Sequence, residues 1–239
     1  IQDIAGVRVL MLKVNHTESS PLHDKAVRNA VAHIINYDSM AKIIGNGSTP
    51  GAAPFPPSAN LGYDTIANKA TTDVAKADQI LTQAGYAKNA NGVYAKDGKE
   101  LSLTLAVWGK DTSMYEEIQQ ELKQAGINVT LKKLQSPDEV DTLGTDGFDL
   151  VERNVITMST NDPYWFLSLF YKTGAKSNVG GYSNPQVDAL IDQLSVTFDQ
   201  NERSNITKQA QQILVDDVAD IYLLYPSATV VSTTKVKNV

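Results

Sequence analysis

The sequence predicts one α/β lobe built on a mixed sheet, and three observations carry that prediction. Between residues 100 and 155, short β-rich runs alternate with helical stretches in the order strand, helix, strand, helix, strand. The last third of the chain reads as successive amphipathic helices followed by short closing strands. The 239 residues, 42% of them hydrophobic, suffice for one sizeable core, and no internal repeat or low-complexity tract suggests another architecture.

Each element has a local reason. Val7 to Val14 (VRVLMLKV) is β-rich and alternates in part, which predicts a strand. A loop from Asn15 to His23 follows. Asp24 stands where an N-cap belongs, ahead of Val27, Val31, Ile34, Ile35 and Ile43 at helical spacing. Residues 45–63 hold four prolines and four glycines. Proline lacks a donor and glycine loosens the backbone, so this run predicts an extended surface excursion. Asp73 to Ala84 reads as a helix with Gly85 just past its end. Asp97-Gly98, between Val93–Lys96 and Glu100–Trp108, predicts a hairpin. From Trp108 the chain passes to a helix, Thr112 to Ala125, with Met114, Ile118, Leu122 and Ala125 on one face. A strand from Ile127 to Leu134, a short helix after Pro137 and a strand from Phe148 to Val155 complete a βαβαβ unit, which implies parallel pairing. Asn184-Pro185 opens a helix as N-cap and N1; Val187, Leu190, Ile191 and Leu194 mark its apolar face. Ile206, Ala210, Ile213 and Leu214 mark the next helix. Ile221 to Tyr225 and Thr229 to Ser232 read as closing strands.

Composition and motifs exclude several functions. The 21 basic and 27 acidic residues give a net charge of −6, and the basic runs are no longer than pairs such as Lys132-Lys133, which argues against nucleic acid. There is no cysteine, hence no disulfide or thiolate metal site. No apolar run approaches the roughly 18 residues needed to span a bilayer, and no signal peptide is visible. The chain opens at Ile1-Gln2-Asp3 without an initiator Met and is expected to be a processed or excised piece. His16, His23 and His33 form no chelating pair, and His16 alone keeps a small chance of facing a ligand. Gly45-Asn46-Gly47 lacks the Lys-Ser/Thr of a phosphate loop, and no nucleophile elbow or cofactor motif is present. Adjacent carboxylates, Glu116-Glu117 and Asp216-Asp217, lie within helical patterns and read as solvated faces. The expectation is no enzyme, no cofactor and no metal site.

Five segments, in order, resemble the peptide- and nickel-binding solute-binding proteins of ABC importers. Pro21-Leu22-His23-Asp24-Lys25-Ala26-Val27-Arg28-Asn29-Ala30, after a strand ending in Asn15, is similar to that family's P-x-x-D-x-x-V-R-x-A motif. The others are the Pro-rich loop ending Asn60-Leu61-Gly62-Tyr63-Asp64; Ala75-Lys76-Ala77 through Ala84-Gly85-Tyr86; Leu122-Lys123-Gln124-Ala125-Gly126-Ile127-Asn128-Val129; and Gly181-Tyr182-Ser183-Asn184-Pro185 through Ile191. Residue by residue these are packing, capping and helix-ending positions, with Arg28 expected to anchor a local carboxylate or carbonyl. They identify the fold and do not themselves bind solute.

The resemblance implies one lobe of a two-lobed, periplasmic-binding-protein-like receptor, the second lobe, spanning residues 1–239 with the extended loop at 45–63. Its partners would be a first lobe of the same polypeptide, a small-molecule or peptide ligand, and ABC permease subunits. It would work outside the cytoplasmic membrane, anchored there in its full-length form. The resemblance also implies ligand-facing positions at Ile156, Thr157, Met158, Ser159 and Thr160, in the turn before Asn161-Asp162-Pro163, a place that agrees with ligand binding beyond the carboxyl ends of sheet strands. Asn178 and Tyr182 mark a second candidate cleft edge. Peptide-binding relatives carry an aromatic early in this turn and an Asp three residues before the acidic-Pro pair. Here Ile156 and Thr157 stand near the first position and Ser159 at the second, and a neutral hydroxyl cannot give a peptide amine the same charge-assisted contact. A short peptide is the leading solute, a nickel chelate the alternative within transport, and a solute-sensing receptor domain the alternative outside it.

Overall fold

A computed structural model describes residues 2–230. Eleven strands and eight α-helices follow the chain as β1 (Gln2–Ala5), β2 (Arg8–Val14), α1 (Lys25–Ile34), α2 (Tyr37–Ile44), β3 (Thr49–Pro50), α3 (Val74–Gln83), β4 (Ala87–Lys88), β5 (Tyr94–Lys96), β6 (Lys99–Glu100), β7 (Ser102–Val107), α4 (Ser113–Ala125), β8 (Asn128–Lys133), α5 (Glu139–Leu143), β9 (Leu150–Ile156), α6 (Pro163–Phe170), α7 (Pro185–Val196), α8 (Gln200–Asp216), β10 (Asp220–Tyr225) and β11 (Ser227–Val230). A six-stranded sheet runs β3-β10-β2-β9-β7-β8. Strand β7 is parallel to both β8 and β9, as the βαβαβ reading requires, whereas β2 is antiparallel to β9 and β10, which makes the sheet mixed. Strands β1 and β11 pair antiparallel as a separate ribbon, Gln2 opposite Val230.

Alternation along the strands sorts the core into two layers. Leu10, Leu12 and Val14 of β2 join Leu105, Leu150 and Ile221 on one face, packed against α1 to α4 through Val27, Val31, Met40, Leu81, Ile118 and Leu122. Val9 and Met11 point the other way, with Val155 and Tyr222, against α6 to α8 through Phe166, Leu167, Val187, Ile191, Ile206 and Leu214. A smaller cluster, Ala106, Leu134, Val140, Phe148 and Val151, seats α5.

Local details depart from the sequence reading in three places. The helical run from Val27 to Ile43 is two helices. Ile35 is extended, and Asn36 caps α2 by accepting from Ser39 N–H. The break is held by Asn36 N–H donating to Glu121 (3.0 Å) and by the Thr72 hydroxyl donating to the Ile35 carbonyl (2.8 Å). The run from Glu100 to Trp108 is also divided. After the Asp97-Gly98 turn, both residues at positive φ, β6 pairs with β5 and buried Leu101 turns the chain into β7. The Pro/Gly-rich stretch is not confined to the surface, because residues 53–56 are buried and Phe55 stacks edge-on against Phe166 at 5.3 Å. Gly51 allows that entry. Its N–H donates to the Leu223 carbonyl, and a Cβ would lie 2.8 Å from Leu224 N. The expected strand at Thr229 to Ser232 is observed as β11 to Val230, and residues 231 and 232 lie outside the described residues.

On the α6–α8 side, one buried position of β2 is charged. Lys13 is fully buried and its Nζ lies 2.8 Å from Asp220 Oδ2, also fully enclosed. Lys13 further donates to the Phe170 carbonyl (3.1 Å) and sits 4.4 Å from the Tyr171 ring centre, while Val14 N–H donates to Asp220 Oδ1 (3.2 Å). Burial pulls the lysine down and pushes the aspartate up, each toward its neutral form, and their pairing opposes both shifts. Removing one partner strands the other charge, so Lys13→Met is expected to cost about 3–5 kcal/mol in urea denaturation. Lys13→Met with Asp220→Leu should recover much of that loss; a single variant within about 1 kcal/mol of wild type would contradict this account.

Candidate functional site

The parallel strands β7 and β9 both end on the same side of the sheet, at Val107 and Ile156, where β2 begins with Arg8 opposite Ile156. Just past β7, Trp108 and Gly109 lead toward α4. Together with Leu10, Ile43, Ile44, Tyr115, Glu152 and Asn154 they line a groove of about 290 Å³. Glu152 forms its buried acidic wall. It accepts from Trp108 N–H at 3.0 Å, and burial pushes its carboxyl upward, opposed by the Tyr115 hydroxyl, Trp108 N–H and Arg153. The Arg153 guanidinium stacks on the Trp108 ring at 5.2 Å.

The turn after β9 is held at both ends and open in the middle. Thr157 is buried, and its N–H and hydroxyl both donate to the Val7 carbonyl, at 2.8 and 2.9 Å. Met158 packs partly inward, whereas Ile156, Ser159 and Thr160 are exposed. Asn161 turns the chain in the left-handed region (φ 55°), and Asp162 caps α6 by accepting from Tyr164 N–H at 2.8 Å. Arg203 joins this turn to the loop between α7 and α8: Nη2 donates to Asp162 (2.5 Å) and Nη1 to the carbonyls of Leu194 (2.7 Å) and Thr197 (2.5 Å). That bond network brings Val196 and Phe198, which is 86% exposed, beside the turn. Of the nine large apolar residues exposed among the described residues, Ile43 and Ile44 line the groove, Ile156 opens the turn, Tyr164 and Trp165 follow at the start of α6, and Val196 and Phe198 flank Thr197, whose carbonyl Arg203 binds. An apolar surface gathered on one side of a lobe marks a face made for contact.

Asn178 and Tyr182 are elsewhere. The loop that carries them meets the far end of β2, where His16 N–H donates to the Gly180 carbonyl at 2.8 Å. Gly180 permits that approach, since a Cβ there would fall 1.8 Å from the Val14 carbonyl oxygen. Seven residues of β2, about 20 Å at 3.3 Å per residue, separate this loop from the turn at 156–160. Both side chains are buried and engaged. Asn178 donates to the carbonyls of Lys172 and Tyr182 and accepts from Tyr182 N–H; the Tyr182 hydroxyl donates to Asp217 at 2.7 Å. The structure therefore does not bring these two together with 156–160 into one cleft. His16 lies with them, its ring edge-on to Tyr182 at 5.2 Å and its Nε2 2.8 Å from the Ala219 carbonyl. Arg28 anchors carbonyls, as expected, donating to those of Leu22, His23 and Asp217.

Sequence reasoning missed Trp108, Glu152 and Asn154. The available signals were a tryptophan at the carboxyl end of a strand and an acid inside an apolar one. Arg203 gave no signal, because its partners lie 6 to 41 residues away.

Comparison with known proteins places this geometry among relatives. A family model described as bacterial extracellular solute-binding proteins, family 5 Middle, matches residues 1–178. A nickel-binding protein of Staphylococcus aureus is 29% identical over 98% of this chain and 46% of its own length. A probable D,D-dipeptide-binding periplasmic protein of Escherichia coli is 28% identical over 100% of this chain and 45% of its length. The chain thus spans about half the length of these curated relatives. Among solved structures, the Staphylococcus aureus nickel-binding protein in complex with Ni(L-His)2 superposes with a TM-score of 0.78 at 25% identity, over 95% of this chain and 46% of that one. A nickel ABC transporter protein of Bacillus halodurans gives 0.82 at 24% identity, with coverage of 95% and 47%.

The far-end network makes a pH prediction. Burial, ahead of the nearby Arg28 and Lys13 charges, lowers His16 from its ordinary 6.5 to about 4. The unfolded chain therefore takes up this proton first as pH falls. The stability contributed by neutral His16 is complete above pH 6.5 and is lost between about 6.5 and 4, a decrease of roughly 2–3 kcal/mol. Urea denaturation across that range should show the slope, and His16→Gln should flatten it; an unchanged slope in the variant would rule His16 out.

Proposed function

The chain belongs to the bacterial extracellular solute-binding proteins of family 5, and from that premise we propose that it is one lobe of a two-lobed receptor that closes on an extracellular small solute. A short peptide is the leading solute, delivered to an ABC-type permease whose separate subunits hydrolyse ATP. The full-length protein works outside the cytoplasmic membrane, tethered to it, and catalyses no covalent step. The observation that carries this reading is the apolar end of the lobe. The groove beside Trp108 opens at the carboxyl end of β7 and is walled by Glu152 and Asn154 of β9, the open turn runs on from Ile156 at the end of β9, and Arg203 ties that turn to the loop that carries Phe198. Ligands of α/β sheets bind there, and a hinged partner lobe would cover the same surface when closed.

Within this reading Ile156, Ser159 and Thr160 supply solute contacts from the exposed turn, with Trp108 and Asn154 of the adjoining groove. Thr157 and Met158 shape the turn from beneath. A nickel chelate is the second reading, favoured by Ser159. Its exposed neutral hydroxyl offers a peptide amine no charge, whereas a chelate brings most of its own metal ligands.

Two measurements test the proposal. Isothermal titration should show the full-length protein binding its solute at least ~100-fold more tightly than these 239 residues alone, about 2.7 kcal/mol, because each lobe holds half the contacts. Equal affinities would refute a split cleft. With a peptide solute, Ser159→Ala is expected to change affinity by less than about tenfold, ~1.4 kcal/mol, with acetylation of the peptide amine tolerated. A coupling above ~1.5 kcal/mol between residue 159 and the free amine would show that Ser159 does anchor it.

A further inference from the structure

Two neighbouring strands of the sheet, β2 and β10, continue beyond it as the ribbon β1–β11, and their ladder is interrupted on the way. Leu10 faces Leu224 on one side of the break and Ala5 faces Ser227 on the other, so residues 6–9 on one strand stand against Tyr225 and Pro226 on the other. Val9 and Arg8 stay with the lobe, paired with Val155 and Ile156 of β9. The link between sheet and ribbon is therefore Gly6-Val7 on one strand and Pro226 on its neighbour.

Gly6 and Pro226 meet at this crossing. A Cβ on Gly6 would lie 3.0 Å from the Pro226 carbonyl oxygen, tighter than side chains ordinarily allow. Proline has a fixed φ and no N–H to rebuild the ladder, whereas glycine turns about φ and ψ at little cost. Hinge motion is absorbed by a few such residues at the ends of elements.

What lies on the sheet side of Gly6 is anchored. The Ser58 hydroxyl donates to the Gly6 carbonyl at 2.6 Å, and Thr157 donates twice to the Val7 carbonyl, through its N–H (2.8 Å) and its hydroxyl (2.9 Å). A peptide unit is planar, so holding its carbonyl holds the whole plane. Two successive planes are thus braced on the lobe, one by the Pro/Gly-rich stretch and one by the turn at 156–160. Thr157 is wholly buried, while Ile156, Ser159 and Thr160 beside it are exposed.

We propose that Gly6 is the pivot on this strand and that Thr157 is a positioning residue coupling that pivot to the solute turn. The inference rests on the two-lobed reading above: the ribbon rotates against the lobe about the Gly6 dihedrals, and the segment that meets solute also braces the pivot. Contacts that order the turn then stiffen the pivot, and by reciprocity a loosened pivot weakens solute binding.

The test uses the full-length protein, with trialanine as probe solute, small-angle scattering for lobe opening and isothermal titration for affinity. Thr157→Val keeps the volume and removes the hydroxyl, Thr157→Ser keeps the hydroxyl, and Ser58→Ala removes the other brace from a segment outside the turn. Without solute, the radius of gyration should rise in Thr157→Val and Ser58→Ala and stay at the wild-type value in Thr157→Ser. Trialanine should bind the two loosened variants about 3–10-fold more weakly, the range for one lost hydrogen bond, with thermal melts showing all three folded. A role confined to packing would lower the melting temperature and leave radius and affinity unchanged. That result would overturn the proposal, as would a Thr157→Ser protein that behaves like Thr157→Val. Wild-type protein that does not compact on trialanine would instead contradict the peptide-receptor reading, and the ligand-free radii decide the pivot separately.

Discussion

Two charges buried together at the end of β2 constrain much of this lobe. Enclosing Lys13 and Asp220 is unfavourable by several kcal/mol for each ion unless every lone pair and proton is met. Meeting them takes the Phe170 carbonyl at the end of α6, the face of Tyr171, and the Val14 N–H. The end of β2, the start of β10 and the end of α6 thus hold a common geometry, because a shift in any one would strand a charge in the core. Around that point further bonds accumulate: Asp217 receives the Tyr182 hydroxyl and the Asn184 amide, its carbonyl receives Arg28, and Asn178 closes its own loop.

The two ends of the sheet consequently differ in kind. At the Lys13 end polar side chains are buried and bonded to one another or to backbone, which makes a rigid base. At the Ile156 end the strands finish in exposed apolar side chains and neutral hydroxyls, with Glu152 and Arg153 set around Trp108. The proposed hinge closure would use this division, the base keeping its shape while the open end exchanged water for solute and partner surface. The bond from Arg203 to Asp162 extends the order of the base to the rim, fixing where the α7–α8 loop stands without covering it.

The legible features were those with short-range causes. Asp24, Asn184 and Asp73 cap helices by bonding amides two or three residues on, so their roles follow from neighbouring letters. The Asp97-Gly98 turn and the alternation in β2 are local in the same way, and the βαβαβ order implied the parallel pairing of β7 with β8 and β9. The turn at 156–160 was suggested by the family resemblance, and its place after a strand agrees with the observed end of β9 at Ile156. Asn178 and Tyr182 look equally polar and equally loop-borne, yet Gly180 docks their loop on the Val14 carbonyl at the opposite end. The Pro/Gly-rich stretch misled for a related reason. Its composition forbids helix and central strand but is silent on burial, which Phe55 acquires by meeting Phe166 more than a hundred residues away.

By itself, then, the sequence determined which segments are helix or strand, the order that makes the sheet mixed α/β, and a motif series specific enough to indicate the family. Those properties rest on caps, turns and periodicities whose partners lie within a few residues. Only the tertiary structure decided that Lys13 and Asp220, 207 positions apart, share one enclosed charge pair. It likewise decided that Trp108 and Asn154 flank one groove, and that Thr157 reaches the Val7 carbonyl. Each of these pairings depends on which strand edge or helix face the folded chain brings alongside, a long-range packing outcome that no local pattern encodes.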